Sequence, residues 1–185
     1  GLGVRPIGNM IHLLEAKGVR VFRLAEDTQD LDAFSLWKGL RPYIFLNTKK
    51  TSERSRFDAA HELGHLILHK HASPNGQDAE KEADRFASAF LMPRDALLPI
   101  GRISDLEPCF RIKAKCGVSL SAAIYRAHDI GLMTRWNYQT LLRELSRRGW
   151  RKAEPKPMPP ETSVVWKKVF DSLREEGVTV EDVSS

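Results

Sequence analysis

The pattern of apolar and polar residues along the first half of the chain predicts a helix, three short strands and a longer helix. Residues 9–17 have apolar positions at helical spacing and are closed by Gly18. The three strands are predicted at residues 19–24, 33–37 and 43–47. The longer helix spans residues 56–70 and has one apolar face. This order predicts an α+β fold in which a small three-stranded sheet packs against helices.

The second half of the chain is predicted to be helical. A helix over residues 78–92, with Asp78 as its N-cap, stops at Pro93. Further helices are predicted at residues 105–115, 120–130, 137–148 and 163–176. The glycine-containing turn before residue 120 is similar to that of a helix-turn-helix motif. The apolar residues of the following helix nevertheless favour packing over contacts with bases.

Proline and charged residues after the last predicted core helix indicate an extended linker. The predicted organisation is a compact domain over residues 1–152, a proline-rich linker over 153–162, and a C-terminal amphipathic helix with a tail over 163–185. The chain begins Gly1-Leu2-Gly3 without a methionine. We therefore expect it to be a piece of a longer protein.

Composition and charge narrow the classes of function. The 185 residues carry a net charge of +5, with basic residues concentrated at 143–152. We interpret this cluster as a solvated helix face and expect no direct binding of nucleic acid by this chain. There is no apolar run of about 18 residues and no signal segment, which predicts a cytoplasmic protein that does not enter the membrane. Cys109 and Cys116 are predicted to be buried free thiols.

The helix over residues 56–70 contains the sequence HELGH, from His61 to His65. Residues four apart lie one turn above each other on a helix, so the imidazoles of His61 and His65 can bind one metal ion, with Zn²⁺ as the first expectation. Glu62 is rotated by roughly 100° from His61, given about 3.6 residues per turn. This is too far for comfortable ligation but near enough for Glu62 to act as a base toward water at the metal.

A third ligand is expected, because a catalytic zinc usually has three protein ligands and one open position. On the next helix Glu80 borders the buried face whereas Glu82 lies well off it, so helical geometry favours Glu80. Asp84, one turn further on, is placed to accept a hydrogen bond from the free ring N–H of a zinc-bound histidine. The alternative is that these carboxylates are solvated surface charges. His69 and His71 are predicted not to be ligands.

Two stretches, RFDAAHELGHLILH and EKEADRFASAFLMP, resemble the two motifs of the ImmA/IrrE family of zinc metallopeptidases. The resemblance runs over residues 7–155, although only the two metal helices carry specific motifs. It implies a zincin-like, gluzincin-type fold in which His61, His65 and Glu80 hold Zn²⁺ and Glu62 is the general base. The chain departs from the family at Asp84, where asparagine is more frequent.

The family also has a recurring arginine at the position of Arg126. Whether Tyr125, Arg126 or His128 stabilises the oxyanion of the reaction stays open at this point.

The resemblance further implies a cytosolic endopeptidase of narrow specificity that cleaves a helix-turn-helix transcriptional repressor. Such cleavage induces genes of a mobile element, a toxin–antitoxin pair or a stress response. Many members carry a helix-turn-helix domain before the peptidase domain, and the missing methionine fits the removal of such a domain from this chain. The alternative is a regulator that binds a repressor or DNA without cleavage. Its structural metal site would use His69 or His71 as a fourth ligand.

Overall fold

The computed structural model describes residues 3, 5–24, 33–47, 49–70, 76–151 and 153–176. The first half forms α1 (Met10–Ala16), β1 (Arg20–Leu24), β2 (Ala33–Lys38), β3 (Arg41–Asn47) and α2 (Ser52–Leu68). The second half forms α3 (Gln77–Leu91), α4 (Arg94–Leu97), a 3-10 turn (Leu98–Ile100), α5 (Leu106–Cys116), α6 (Leu120–Asp129), α7 (Arg135–Arg147) and α8 (Val164–Glu175). The predicted α+β class, with a small sheet on a helical core, is confirmed.

The three strands form one mixed sheet in the order β1-β3-β2. β1 is parallel to β3, whereas β2 is antiparallel to it. Because side chains alternate between the two faces of a strand, Val21 and Ile44 enter the buried core that also contains α1 and α2. Phe22, Phe45 and Phe34 stack in a row across the opposite face. Within the part of the chain that the structure describes, this order makes β1 and β2 the two edges of the sheet.

Helix α2 begins at Ser52, four residues before the predicted start at Arg56. The Thr51 hydroxyl oxygen accepts a hydrogen bond from the Arg54 N–H over 3.3 Å, which satisfies a donor of the first turn. Glu53 lies in the same turn, where the helix dipole favours a carboxylate. The extra turn extends the helix beyond its amphipathic part.

Helix α3 begins at Gln77 with Gly76 as its N-cap, so the prediction that Asp78 is the N-cap is wrong. Asp78 lies inside the first turn instead, where its carboxylate is also favoured by the dipole and pairs with Lys81 over 3.2 Å. An acidic side chain therefore still stabilises the start of this helix, but from a position two residues after the N-cap.

The segment after α7 runs back across the domain. Residues 153–162 contain no regular helix or strand, but Glu161 in this segment is buried. Its carboxylate accepts a hydrogen bond from the Met10 N–H over 2.9 Å and pairs with the buried guanidinium of Arg56. The carboxylate of Glu161, which lies at the end of the predicted linker, thus contacts both the start of α1 and a side chain of α2.

Helix α8 packs beside the β1 edge of the sheet. The indole N–H of Trp166 donates to the Val21 carbonyl over 3.1 Å, and its ring packs 5.1 Å from that of Phe22. The Arg23 guanidinium also donates to the Glu161 carbonyl. These contacts place the C-terminal segment at β1, on the side of the sheet opposite to β2. The predicted tail beyond residue 176 lies outside the described residues.

Candidate metal centre

Helix α2 places two imidazoles one turn apart on the same face. The Nε2 atoms of His61 and His65 lie 3.0 Å from each other, and both rings are only slightly exposed. Burial lowers the pKa of His65, with a further contribution from the nearby His61. This favours the neutral imidazole, which is the form that binds a metal.

Helix α3 brings a carboxylate to the same point. One oxygen of Glu80, Oε2, lies 3.2 Å from His61 Nε2, and the other, Oε1, lies 3.3 Å from His65 Nε2. The three side chains offer ligand atoms that all lie within 4.8 Å of one another. Glu82 points elsewhere, because its carboxylate lies 3.0 Å from Nε2 of His69. The structure therefore brings together the three side chains that the helical geometry selected and leaves Glu82 out.

Gly64 allows α2 and α3 to approach this closely. A Cβ atom at this position would lie 3.2 Å from the Ala83 Cα and 3.1 Å from the Phe86 ring. Ala83 is one turn after Glu80, so the contact lies beside the metal ligands. A glycine between the two histidines thus determines how near the third ligand can come.

The outer nitrogens of both histidines have partners. His61 Nδ1 lies 2.9 Å from a carboxylate oxygen of Asp84, the residue that we expected beside one of the histidines. An Nδ1–H that donates to this carboxylate leaves the Nε2 lone pair directed at the metal position. The partner of His65 was not predicted: its Nδ1 lies 3.0 Å from Nδ1 of His69.

His69 therefore links His65 to Glu82 in an imidazole–imidazole–carboxylate chain. The signal in the sequence was the four-residue spacing between His65 and His69, which places both rings on one helix face. Both ring nitrogens of His69 are engaged in this chain, away from Glu80. His71, the other predicted non-ligand, lies outside the described residues.

Glu62 lies beside the histidines at the base of a cleft of about 620 Å³. Its side chain is buried, and burial raises the pKa of Glu62, although the Ser35 hydroxyl and the charged form of His61 favour the carboxylate. One wall of the cleft is the part of β2 from Ala33 to Trp37. The Ser35 hydroxyl donates to the Glu62 carbonyl over 3.3 Å, and this bond fixes the strand against the helix.

The three residues considered for oxyanion stabilisation lie outside the lining of this cleft. Arg126 is buried, and its guanidinium donates to the Met92 carbonyl (3.0 Å) and to Asp129 (2.7 Å), so it holds α6 to the end of α3. The His128 ring stacks on Tyr138 with centroids 4.4 Å apart. Tyr125 is exposed and lines a neighbouring groove.

One known protein family matches the part of the chain that carries this arrangement. The family model described as the IrrE N-terminal-like domain, peptidase M78, matches residues 14–128, a range that contains both metal helices. The chain belongs to this family. The family predicted from the two motifs is thereby confirmed, and membership in M78 supports a metallopeptidase.

Other comparisons add little to the M78 assignment. A solved structure named as a Mycobacterium tuberculosis transcriptional regulator is 15% identical to this M78 domain, with a TM-score of 0.45. The match covers 63% of this chain and 39% of the regulator, so the chain spans well under half of that protein. No curated protein sequence matches the chain. Among the described residues, none of the helices has the length and apolar character needed to cross a bilayer.

Proposed function

We propose that this M78 domain is a zinc-dependent endopeptidase that cleaves a specific cytoplasmic protein. The observation that carries the proposal is the convergence of His61, His65 and Glu80 beside the buried carboxylate of Glu62. All four side chains line one cleft of about 620 Å³. The family match supports the same chemistry.

The donor set fits zinc. Two imidazole nitrogens and one carboxylate oxygen are a ligand combination found in catalytic zinc sites, where the remaining position is open to water or substrate. His61 and His65 each offer Nε2, while Asp84 and His69 hold the outer Nδ1 atoms. When bound, zinc supplies Lewis acidity that makes water more acidic and polarises a peptide carbonyl.

Glu62 performs the proton transfers in this proposal. Its carboxylate accepts a proton from the water that attacks the carbonyl carbon of the substrate, and then donates that proton to the departing amine. Such general acid–base catalysis accelerates reactions by roughly 10²–10⁴-fold. Burial of Glu62 suits this cycle, because a raised pKa makes the carboxylate a better base and lets the group return the proton.

The edge strand β2 is the part of the sheet that we propose to align the substrate. Among the described residues β2 pairs with β3 alone, and its residues from Ala33 to Trp37 line the cleft that contains Glu62. A peptide added to this edge would form backbone hydrogen bonds with β2 and lie across the metal centre. The opposite edge, β1, is contacted by Trp166 and therefore offers less room.

We propose a helix-turn-helix repressor as the substrate, on the basis of the resemblance to ImmA/IrrE enzymes. The direct test is incubation of the zinc-loaded chain with helix-turn-helix repressors of the same organism, followed by mass spectrometry of the products. The proposal predicts one cut at a defined bond. A stable complex without a cut would favour the alternative of a non-cleaving regulator. In such a regulator a structural zinc would need a fourth protein ligand, whereas His69 is directed to His65 and Glu82.

Two matched variants test the ligand assignment. Glu80→Gln should weaken zinc binding strongly, because a neutral amide replaces the carboxylate whose two oxygens lie 3.2 Å from His61 Nε2 and 3.3 Å from His65 Nε2. Glu82→Gln changes the same chemical group two residues away and should retain zinc. The zinc content of each variant is measured after dialysis. Loss of zinc from Glu82→Gln but not from Glu80→Gln would show that Glu80 is not the third ligand.

A further inference from the structure

A second groove, of about 830 Å³, opens beside the metal cleft. The two cavities share Arg54, Phe57 and Asp84, so a chain that leaves the cleft in this direction enters the groove. We call it the basic groove, because lysine and arginine dominate the charged part of its lining. These cationic residues are Lys49, Lys50, Arg54, Lys81, Arg85 and Arg151.

The charge of the basic groove is only partly compensated. Three carboxylates, Glu53, Asp84 and Glu154, line it together with the six cations. Glu53 and Glu154 pair with Lys113 at 2.6 and 3.3 Å, and Lys113 lies outside the lining. Asp84 is bonded to His61. Two of the lining cations also have carboxylate partners outside the lining: Arg54 pairs with Asp58 at 2.9 Å and Lys81 pairs with Asp78 at 3.2 Å. The six lining cations together with Lys113 still outnumber these five carboxylates, so the lining attracts negative charge.

Two of the cations are placed to meet a ligand. Arg85 and Arg151 are exposed, and neither forms an ion pair with another residue in the part of the chain that the structure describes. Phe57 and the half-exposed Tyr125 add apolar surface between the charges. The combination suits an extended peptide that carries both acidic and apolar side chains. Continuity with the metal cleft favours a peptide over nucleic acid as the occupant.

The direction of β2 indicates which part of a substrate would reach the basic groove. Ser35 contacts the carbonyl of Glu62, and Trp37 donates to the carbonyl of Leu66, so β2 runs in the same direction as α2. The Ala33 end of β2 therefore points toward the start of α2, where Arg54 lines both cavities. Antiparallel pairs are the more frequent and slightly more stable arrangement of strands. An antiparallel substrate would enter the groove with its C-terminal part.

We infer that the basic groove binds acidic side chains of the substrate on the C-terminal side of the scissile bond. This inference rests on the proposed endopeptidase function and specifies the substrate that the site selects. Arg85 and Arg151 would contribute to specificity rather than to chemistry, because neither lines the cleft that contains Glu62.

The test measures binding separately from cleavage. The zinc-loaded Glu62→Gln chain is titrated into three fluorescent peptides: a neutral strand-forming block followed by glutamates, the same block followed by glutamines, and the same block preceded by glutamates. We expect the first peptide to bind about tenfold more tightly than the second at low ionic strength, with a smaller difference in high salt. We also expect it to bind more tightly than the third.

Charge reversal at one groove position supplies the matched comparison. Arg85→Glu should weaken binding of the first peptide about fivefold, the size expected for an exposed ion pair, and leave the glutamine peptide unchanged. Arg102→Glu is the control, because Arg102 is exposed and lines neither cavity. Equal affinities for the first two peptides, equal effects of the two variants, or tighter binding of the third peptide would each overturn the inference. Tighter, Arg85-dependent binding of a single-stranded oligonucleotide would overturn it in favour of nucleic acid.

The result of the peptide-binding test can be distinguished from the result of the cleavage test of the proposed endopeptidase function. Peptide binding as predicted, combined with no cleavage by the wild type, would retain the acidic-peptide site and reject the endopeptidase. Cleavage by the wild type at sites without any acidic preference would retain the endopeptidase and reject the role of the basic groove.

Discussion

Replacement of Gly64 by alanine tests whether the close approach of α2 and α3 holds the metal ligands together. The new Cβ would lie 3.1 Å from the Phe86 ring, 3.2 Å from the Ala83 Cα and 3.4 Å from the Ala83 carbonyl oxygen. Two of these contacts are with backbone atoms, which cannot move aside by a rotamer change. The helices must therefore separate by a few tenths of an ångström.

Two opposing effects determine the stability of Gly64→Ala. Alanine in a helix interior is favoured over glycine by about 1 kcal/mol, whereas overpacking of a tight contact costs about 1–3 kcal/mol. The net loss is about 1 kcal/mol, or about 2–4 °C in the unfolding temperature of a protein of this size. Metal affinity should be affected more, because ligand distances in metal sites are held within about 0.2 Å. A displaced Glu80 is expected to weaken zinc binding at least about tenfold.

The assay is competition for zinc against a chromophoric chelator, together with thermal unfolding of the metal-free protein. Gly8→Ala is the matched control, because a Cβ at that exposed glycine would meet no atom within 4 Å. Gly64→Ala should lose zinc affinity out of proportion to its loss of stability, and Gly8→Ala should change neither. If Gly64→Ala binds zinc as tightly as the wild type, the helix contact does not position Glu80 and the reasoning is refuted.

Four further predictions concern groups away from the metal centre. Glu53→Gln should destabilise the fold by about 2 kcal/mol, because Lys113 loses the closer of its two carboxylate partners and keeps only Glu154 at 3.3 Å; denaturant unfolding measures this, and an unchanged free energy of unfolding would contradict it. Burial alone raises the pKa of Glu53, but the hydrogen bonds from Lys113 and the Met158 N–H outweigh it and the net pKa is lowered. This contribution to stability is therefore present above about pH 4.5 and is lost as the pH falls below it, which the pH dependence of unfolding for wild type and Glu53→Gln should show. Burial raises the pKa of the Cys109 thiol to about 12 and also raises that of Cys116, so neither should react with a thiol reagent at neutral pH before unfolding; rapid labelling of the native protein would contradict this. Trp166→Ala should lower the unfolding temperature through loss of aromatic packing and of one hydrogen bond, and an unchanged temperature would show that α8 adds no stability.

Local patterns were sufficient to predict the elements that carry the site. The four-residue spacing of His61 and His65 predicted that both lie on one face of a helix. The position of Glu80 at the border of an apolar stripe predicted that its carboxylate faces these histidines. The structure brings these three side chains together, and the same periodicity placed Asp84 next to His61. Such features depend on residues within one or two turns of each other, and the sequence specifies them directly.

Features that depend on distant residues were not predictable in the same way. The pairing of Arg56 with Glu161 joins residues 105 positions apart, and no periodicity connects them. The identity of the edge strand depends on the order of strands in the sheet, which places β3 between β1 and β2. The link from His69 to Glu82 requires both the spacing on α2 and the packing of α3. The cap at Gly76 has no side chain whose chemistry could identify it.

The most direct test of the central claim compares the wild type with Glu62→Gln. Both proteins are purified, their zinc content is measured, and each is incubated with helix-turn-helix repressors of the same organism. Because Glu62 transfers protons while His61, His65 and Glu80 hold the metal, both proteins should carry one zinc and only the wild type should cleave. Loss of zinc from Glu62→Gln would contradict the separation of roles, and cleavage by Glu62→Gln at the wild-type rate would contradict the proposed base.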